Sequence, residues 1–454
     1  MKPISAQQIA AILGVPLAAG NPDTLVCGGV STDTRTLPQG SAFFALRGEN
    51  FDGDSFASQA LAAGAVLAIV HKWTGDVPAD AAVIEVSDTL LALQRLAHWW
   101  RKQLDIPVVG ITGSNGKTST KDFTAAVLAQ RFKVSATRGN LNNHIGVPLT
   151  ILATTLEHTA AVWEMGMNHS GEIAPLCEIA RPKYGVITNV GTAHIEFLGT
   201  REAIAKEKGM LARALPAEGI LFLPATCDFY DYFRQRTRAT MIPVGNGRGL
   251  VRAENLRFEA DGTRFTLAID GAEKVEVSLA VPGRHMVTNS LLAAGVGWKL
   301  GLSTAEIAEG LSSAILTGGR LKRFDYQGTT VIDDTYNANP ESMAAAIETL
   351  ADTPVINGAR RIIVLGRMGE LGIHAPAAHL RTGELAVERK LTIIAVGEGA
   401  EGIAEGANNA PYFLDLDQAA EWLAHEVKPG DVVLFKGSRA ATVERVMNAA
   451  FPRN

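Results

Sequence analysis

The sequence predicts an α/β chain in three segments: a small mixed α/β segment, a central mostly parallel sheet, and a C-terminal open α/β sheet. Three observations predict it. The 454 residues exceed one ordinary hydrophobic core. Short β-branched runs alternate with stretches of helical period, the order that parallel sheets covered on both faces produce. Around Leu250–Val281 the pattern turns to strict alternation, as in hairpins added to a sheet. The expected boundaries are 1–105, 106–318 and 319–454.

In the first segment, Ser5 and Gln8 form a capping box for a helix whose Ile9, Ile12 and Leu13 share one face and which Gly14 ends. That reading accounts for Ile9–Gly20 better than a leader peptide does. Ala42–Leu46, framed by Gly40 and Gly48, reads as a strand. A strand at Val66–Val70 and a helix at Thr89–Leu104 follow. The middle segment places strands at Val108–Thr112, Ala161–Met165, Tyr184–Val190 and Ile220–Leu223, and a helix at His285–Leu300. The last segment places strands at Thr329–Asp333, Arg361–Leu365, Leu391–Val396 and Asp431–Phe435, with helices between them.

Composition narrows the function. Hydrophobic residues make up 47% and charged residues 20%, as in a soluble globular protein. A net charge of −5 argues against a general nucleic-acid or membrane-surface binder. Cys27, Cys177 and Cys227 lie far apart without metal-ligand spacing, so reduced thiols in a cytoplasm are expected. No apolar run approaches the length of a membrane span.

The most informative stretch is VVGITGSNGKT, Val108–Thr118. Val108, Val109 and Ile111 suit a covered strand. Gly113 and Gly116 let backbone N–H groups curl around a phosphate, and the helix N-terminus behind them adds partial positive charge. Lys117 would reach the outer phosphates, and Thr118 would offer a hydroxyl to Mg²⁺. Ile111 stands where the common loop has its first glycine, so this is the shorter G-x-x-G-K-T form.

Open α/β sheets bind ligands beyond the carboxyl ends of their strands. Glu164 ends the strand AAVWE, and Asn189 ends YGVITN with His194 just beyond. A carboxylate ending an apolar strand needs a partner. Glu164 is therefore either a metal ligand beside Thr118 or a carboxylate satisfied by backbone or a lysine. His194 alone reads as a structural histidine, and Lys206 and Lys208 as a solvated helix face. DDTYNANP, Asp333–Pro340, joins a strand to a helix. Asp334, Tyr336 and Asn337 could hold ribose or adenine there, while Asn339 and Pro340 are explained by helix capping. FKGSRAA, Phe435–Ala441, is a second strand-to-helix turn suited to a carboxylate or phosphate.

Together these stretches resemble the Mur ligase family, the ATP-dependent amide-forming enzymes of bacterial peptidoglycan synthesis. TGSNGKTSTKD is similar to the family's ATP loop, NVGTAHIEFLG (Asn189–Gly199) to its metal-binding histidine segment, GRHMVTNSLLAA (Gly283–Ala294) to its ATP-contacting helix, and DDTYNANP to its hinge. The resemblance covers nearly the whole chain. It implies a UDP-sugar-binding domain, a P-loop ATPase-like central domain and a Rossmann-like C-terminal domain. TRGNLNNHIGVP (Thr137–Pro148), EMGMNHSGEI (Glu164–Ile173), DDTYNANPESM and GELG (Gly369–Gly372) are most similar to the branch that joins D-alanyl-D-alanine to UDP-N-acetylmuramoyl-tripeptide.

The resemblance implies these roles. Gly113, Ser114, Asn115, Gly116, Lys117, Thr118 and Ser119 hold ATP, and Lys117 also serves the reaction. Thr118, Glu164, His194 and Lys208 hold two Mg²⁺, with Lys208 carbamylated and Lys206 its fallback. A carbamate turns that cation into an anion able to bind a metal. Asn289 contacts adenine, Arg320 phosphate and Asp334 ribose. Asp33, Thr34, Arg35 and Arg47 face the UDP part. Asn140, Asn142 and Asn143 line the central cleft, and Ser438 lies near the acceptor with Arg439 beside it. Met286 stands where the family usually has Asn, and Arg367 where it commonly has Asp; neither receives a role. The resemblance further implies a cytoplasmic monomer with small-molecule substrates, serving cell-wall synthesis and with it cell shape and division. Alternatives are the ligase that adds the third peptide residue, whose D-N-P-R-type motif is absent here, a folylpolyglutamate-synthase-like ligase, and a nucleotide- or UDP-binding module without ligase chemistry.

Overall fold

A computed structural model describes residues 1–49, 51–259, 261–356 and 358–452; Asn454, the expected end of the last segment, lies outside the described residues. The chain forms two compact units. One comprises Met1–Gly110, Phe132–Met167 and Gly171–Tyr184; the other comprises Ile111–Arg131, Asn168–Ser170 and Gly185–Asn454. The division passes through the strands Val108–Thr112 and Tyr184–Ile187, each of which gives residues to both.

The smaller unit opens with the expected helix, Ala6–Leu13, capped by Ser5 and Gln8 and ended by Gly14 in the left-handed region. A five-stranded sheet follows in the order Ala19–Gly20, Ala82–Glu85, Ala65–Val70, Ser41–Phe44 and Val30–Ser31. Its last four strands are parallel and Ala19–Gly20 is antiparallel. Ser41–Phe44 is buried along its whole length, which explains why its sequence lacks a polar face. Ala57, Ala60, Ala65 and Ala68 pack with Phe43, Leu61 and Val83. Asp88 accepts the Leu91 N–H at 2.8 Å and starts the helix Thr89–Arg101. That helix stops short of the expected Leu104, and the Arg101 guanidinium closes its end on the Leu104 carbonyl at 2.7 Å. The strands Val134–Ala136 and Ala160–Glu164 run parallel.

In the larger unit, strands Ile220–Pro224, Thr240–Asn246 and Val251–Glu259 are joined in parallel. Gly262–Ile269 and Val275–Leu279 then add antiparallel, as the alternation around Leu250–Val281 anticipates. Helix Arg284–Lys299 packs against helix Lys117–Ala129 through Gly297, where an added Cβ would meet Val127 Cγ1 at 2.5 Å. A second sheet has the order Lys322–Tyr326, Thr329–Asp333, Val432–Lys436, Arg361–Leu365, Thr392–Val396, Tyr412–Phe413. Only its first pair is antiparallel. Val331, Val364, Ile394, Val433 and Phe435 form its core. Register pairs Asp333 with Phe435, so the DDTYNANP and FKGSR turns leave adjacent strands side by side. No described helix is long and apolar enough to cross a membrane.

Candidate nucleotide site

The Gly113–Thr118 loop depends on its two glycines. Gly113 has φ +152 and Gly116 φ +77. A Cβ at Gly113 would meet Thr188 Oγ1 at 1.8 Å, and one at Gly116 would meet Asn289 Oδ1 at 2.6 Å. The loop is tied to the turn after strand Tyr184–Ile187. Ser114 N–H donates to the Asn189 carbonyl at 3.1 Å, and Asn115 N–H to Asn189 Oδ1 at 2.9 Å. Ser114 Oγ accepts the Gly191 N–H at 2.9 Å. Asn189 lies past the strand, which ends at Ile187 rather than at Val190, and this frees its side chain to hold the loop.

Helix Lys117–Ala129 starts at Gly116 without a side-chain cap, so its first N–H groups and its dipole face whatever the loop cradles. Lys117 Nζ donates to the Gly113 carbonyl at 2.9 Å and folds back over the loop. Thr118 Oγ1 accepts from Arg320 Nη2 at 3.1 Å, and the Arg320 guanidinium lies 3.9 Å over the Tyr336 ring. Ser119 and Asn289 are buried, and Asn289 packs against Gly116.

Helix Arg201–Ala214 separates two lysines. Lys206 is exposed, whereas Lys208 is 1% exposed. Burial, and then the neighbouring Lys117 charge, push the Lys208 ammonium well below the usual lysine range, with Glu207 opposing. His194 begins the short helix Ile195–Leu198 in the left-handed region, with φ 64, and its Nδ1 lies 2.6 Å from Glu370 Oε2. That contact, ahead of the opposing burial, holds the Glu370 carboxyl below the usual carboxylate range.

The hinge stretch meets the same loop. Asn115 and Asn339 exchange side-chain hydrogen bonds at 3.0 and 2.7 Å. Asn339 also caps helix Pro340–Asp352. Glu341 accepts from the Thr192 N–H at 2.8 Å and from Thr192 Oγ1 at 3.0 Å. Asp334 Oδ2 accepts from Lys436 Nζ at 2.6 Å, and the same ammonium donates to the Asn337 carbonyl at 3.0 Å. Burial raises the Asp334 carboxyl despite that lysine. His285 is lowered to about 4 by burial and by Lys436. Ser438 is 4% exposed, and its Oγ has no hydrogen-bond partner among the described residues. A Cβ at Gly369 would come within 3.9 Å of that Oγ. Arg439 instead reaches out to Glu444 at 3.0 Å. Met286 is buried, and Arg367 packs against Gly399.

In the smaller unit, Glu164 ends its strand 2% exposed. It accepts from Asn142 Nδ2 at 2.8 Å, and its N–H donates to Thr137 Oγ1. Asn143 Oδ1 accepts the Gly146 N–H at 2.8 Å at the head of helix Gly146–Ala153, and the Asn140 carbonyl accepts the Asn142 N–H at 2.8 Å. Asp33 is gripped by the Arg35 guanidinium and backbone N–H around a turn that Thr34 begins, which lowers its carboxyl to about 2. Arg47 pairs with Asp52 and Asp54, each at 3.0 Å.

Among the described residues no group of three or more His, Cys, Asp or Glu could hold a metal ion. A hard cation near the loop must therefore take hydroxyl, amide or ligand oxygens as well, and the Thr118 hydroxyl is of that kind. Two residues have contacts that carried no role in the sequence reading. Glu370 lay in the quoted GELG stretch, but its meeting with His194 joins distant parts of the chain. Lys436 lay in FKGSR, and only the strand order brings it to Asp334.

A glycine-shaped cradle in one sheet, tied to the turns of a second, has the form of a nucleotide-binding site. Three family models match: "Mur ligase family, catalytic domain" over 27–101, "Mur ligase middle domain" over 111–297, and "Mur ligase, glutamate ligase domain" over 319–439. The chain belongs to the Mur ligase family. Among its relatives is the UDP-N-acetylmuramoyl-tripeptide--D-alanyl-D-alanine ligase of Synechocystis sp., 38% identical over 94% of this chain and 92% of that one. The enzyme of the same name from Escherichia coli is 36% identical over 92% and 93%. A crystal structure of MurF from Acinetobacter baumannii covers 100% of both chains with a TM-score of 0.91 and 32% identity. MurF ligase from Thermotoga maritima in complex with ADP covers 93% of this chain and 96% of that one, with a TM-score of 0.83 and 30% identity.

Proposed function

We propose that the chain joins D-alanyl-D-alanine to UDP-N-acetylmuramoyl-tripeptide at the expense of ATP, in the cytoplasm and as a monomer. The observation that carries this reading is the Gly113–Thr118 cradle in a chain that matches ligases of this name along nearly all of its length. The three domains are 1–105 for the UDP-sugar, 106–318 for ATP and 319–454 for the C-terminal ligand site.

A carboxylate is a poor electrophile, so the reaction activates it first. The terminal carboxylate oxygen of the tripeptide attacks the γ-phosphorus and ADP leaves. The D-alanyl-D-alanine amine then attacks the acyl carbon and phosphate leaves, the amine proton going to solvent. The loop N–H groups and the start of helix Lys117–Ala129 hold the phosphates, and Lys117 leaves its two carbonyls to neutralise the outer one. Arg320, already at the Thr118 hydroxyl, adds a second positive charge. Thr118, Glu164, His194 and Lys208 would hold two Mg²⁺, which would supply further neutralisation. Lys208 is preferred to Lys206 for the carbamate because it is buried and Lys206 is not. Asn289 and Asp334 serve the nucleoside, Asp33, Thr34, Arg35 and Arg47 the UDP part, and Asn140, Asn142, Asn143 and Ser438 the peptide substrates. The unpartnered buried Ser438 hydroxyl supports its place in that set.

The test is phosphate release. It is expected only when ATP, UDP-tripeptide and D-alanyl-D-alanine are all present, with the pentapeptide product visible by mass spectrometry. Release that needs a single amino acid in place of the dipeptide, or no acceptor at all, would overturn the assignment.

A further inference from the structure

The Arg320 guanidinium is brought to the Gly113–Thr118 loop by a strained stretch of chain. Gly319 and Leu321, on either side of it, both occupy the left-handed region, φ 72 and φ 53, and Leu321 is buried. That conformation costs a leucine free energy. Among the described residues the guanidinium donates to the Thr118 hydroxyl at 3.1 Å and to the Gly318 carbonyl at 3.5 Å, and to no carboxylate. One of its faces lies on the Tyr336 ring, 3.9 Å from the centroid.

The turn that carries Tyr336 is braced. Lys436 Nζ donates to Asp334 Oδ2 at 2.6 Å on one side of Tyr336 and to the Asn337 carbonyl at 3.0 Å on the other. Thr335 Oγ1 donates to Asp333 Oδ1 at 2.7 Å. Tyr336 N–H donates to the Gly319 carbonyl at 3.2 Å, which ties the turn to the residue before Arg320. Tyr336 itself is 42% exposed. Its hydroxyl makes no hydrogen bond among the described residues, so the ring acts by its face.

A planar cation resting on an aromatic face keeps its plane, and its edge N–H groups stay aimed where that plane points. An arginine without such a platform loses more side-chain freedom each time it binds. We propose that Tyr336 is a positioning residue for Arg320, holding the guanidinium flat so that its edge meets the outer phosphates of the nucleotide in the Gly113–Thr118 cradle. The role rests on the proposal that Arg320 serves the phosphates, and it adds the residue that makes Arg320 ready for them.

The test measures affinity on the full chain by titration calorimetry with two probes: ADP, and inorganic tripolyphosphate, which has neither base nor ribose. Tyr336→Leu and Tyr336→Ala should raise the dissociation constant about three- to tenfold for both probes. Tyr336→Phe, which keeps the aromatic face, should stay within about twofold of the wild type. Arg320→Met should raise it about 10–100-fold, and adding Tyr336→Leu to that variant should change nothing more. Unchanged tripolyphosphate affinity in both truncations would put the ring on the base and overturn the role. So would a full Tyr336→Leu loss in the Arg320→Met background, or an Arg320→Met variant that binds as the wild type does. Phosphate release is assayed alongside. A chain that shows the coupling yet releases no phosphate with UDP-tripeptide and D-alanyl-D-alanine sinks the ligase reading alone; a working ligase in which the two substitutions add independently sinks the positioning role alone.

Discussion

Lys206 and Lys208 share one helix, and burial alone tells them apart. An ammonium at 1% exposure beside a second lysine is costly, which sets Lys208 apart from the exposed Lys206. Lys208→Ala should lower ligase activity by about 10²–10³-fold, the cost of removing one group from a charge-neutralising set. Short carboxylic acids added to the assay should restore part of it. Lys206→Ala should leave the rate unchanged. Full activity of Lys208→Ala in a steady-state phosphate-release assay would remove Lys208 from the site.

The strand–loop–helix element from Val108 to Ala129 depends on glycine at two points for two reasons. Gly113 has no room for a side chain, and Gly116 needs both its left-handed backbone and the space Asn289 fills. Gly116→Ala adds about 1–2 kcal/mol of backbone strain before any collision with Asn289. Affinity for ADP should therefore fall about tenfold or more, while the melting temperature changes little because the loop is not core. Titration calorimetry reads this directly. Unchanged ADP affinity would mean that the phosphates are held elsewhere.

Within the larger unit, polar side chains join the loop to the C-terminal turns. Asn115–Asn339, Arg320–Thr118, Thr192–Glu341 and His194–Glu370 form the joint. Such bonds exchange with water at modest net cost. The Thr192–Glu341 pair lies outside the residues assigned to substrates, so it measures the joint itself. A double-mutant cycle of Thr192→Ala and Glu341→Ala, read by urea unfolding, should return a coupling of about 0.5–3 kcal/mol. Strict additivity would show that the joint does not hold in solution.

Much was determined by the sequence itself, because it is carried by local chemistry. Glycines at Gly113 and Gly116, the capping pair Ser5–Gln8, the Asn339 cap with Pro340 behind it, and the buried strands need only neighbouring residues to declare themselves. Short or edge strands such as Val134–Ala136, Lys322–Tyr326 and Tyr412–Phe413 escaped, since their apolar or alternating stretches are too short to stand out. Tertiary structure alone decided which of two lysines is buried, that Asn189 leaves its strand to hold the loop, and that Glu370 meets His194. Burial and long-range pairing depend on which strands lie side by side. That order is set by the packing of whole sheets, not by the spacing of residues along the chain.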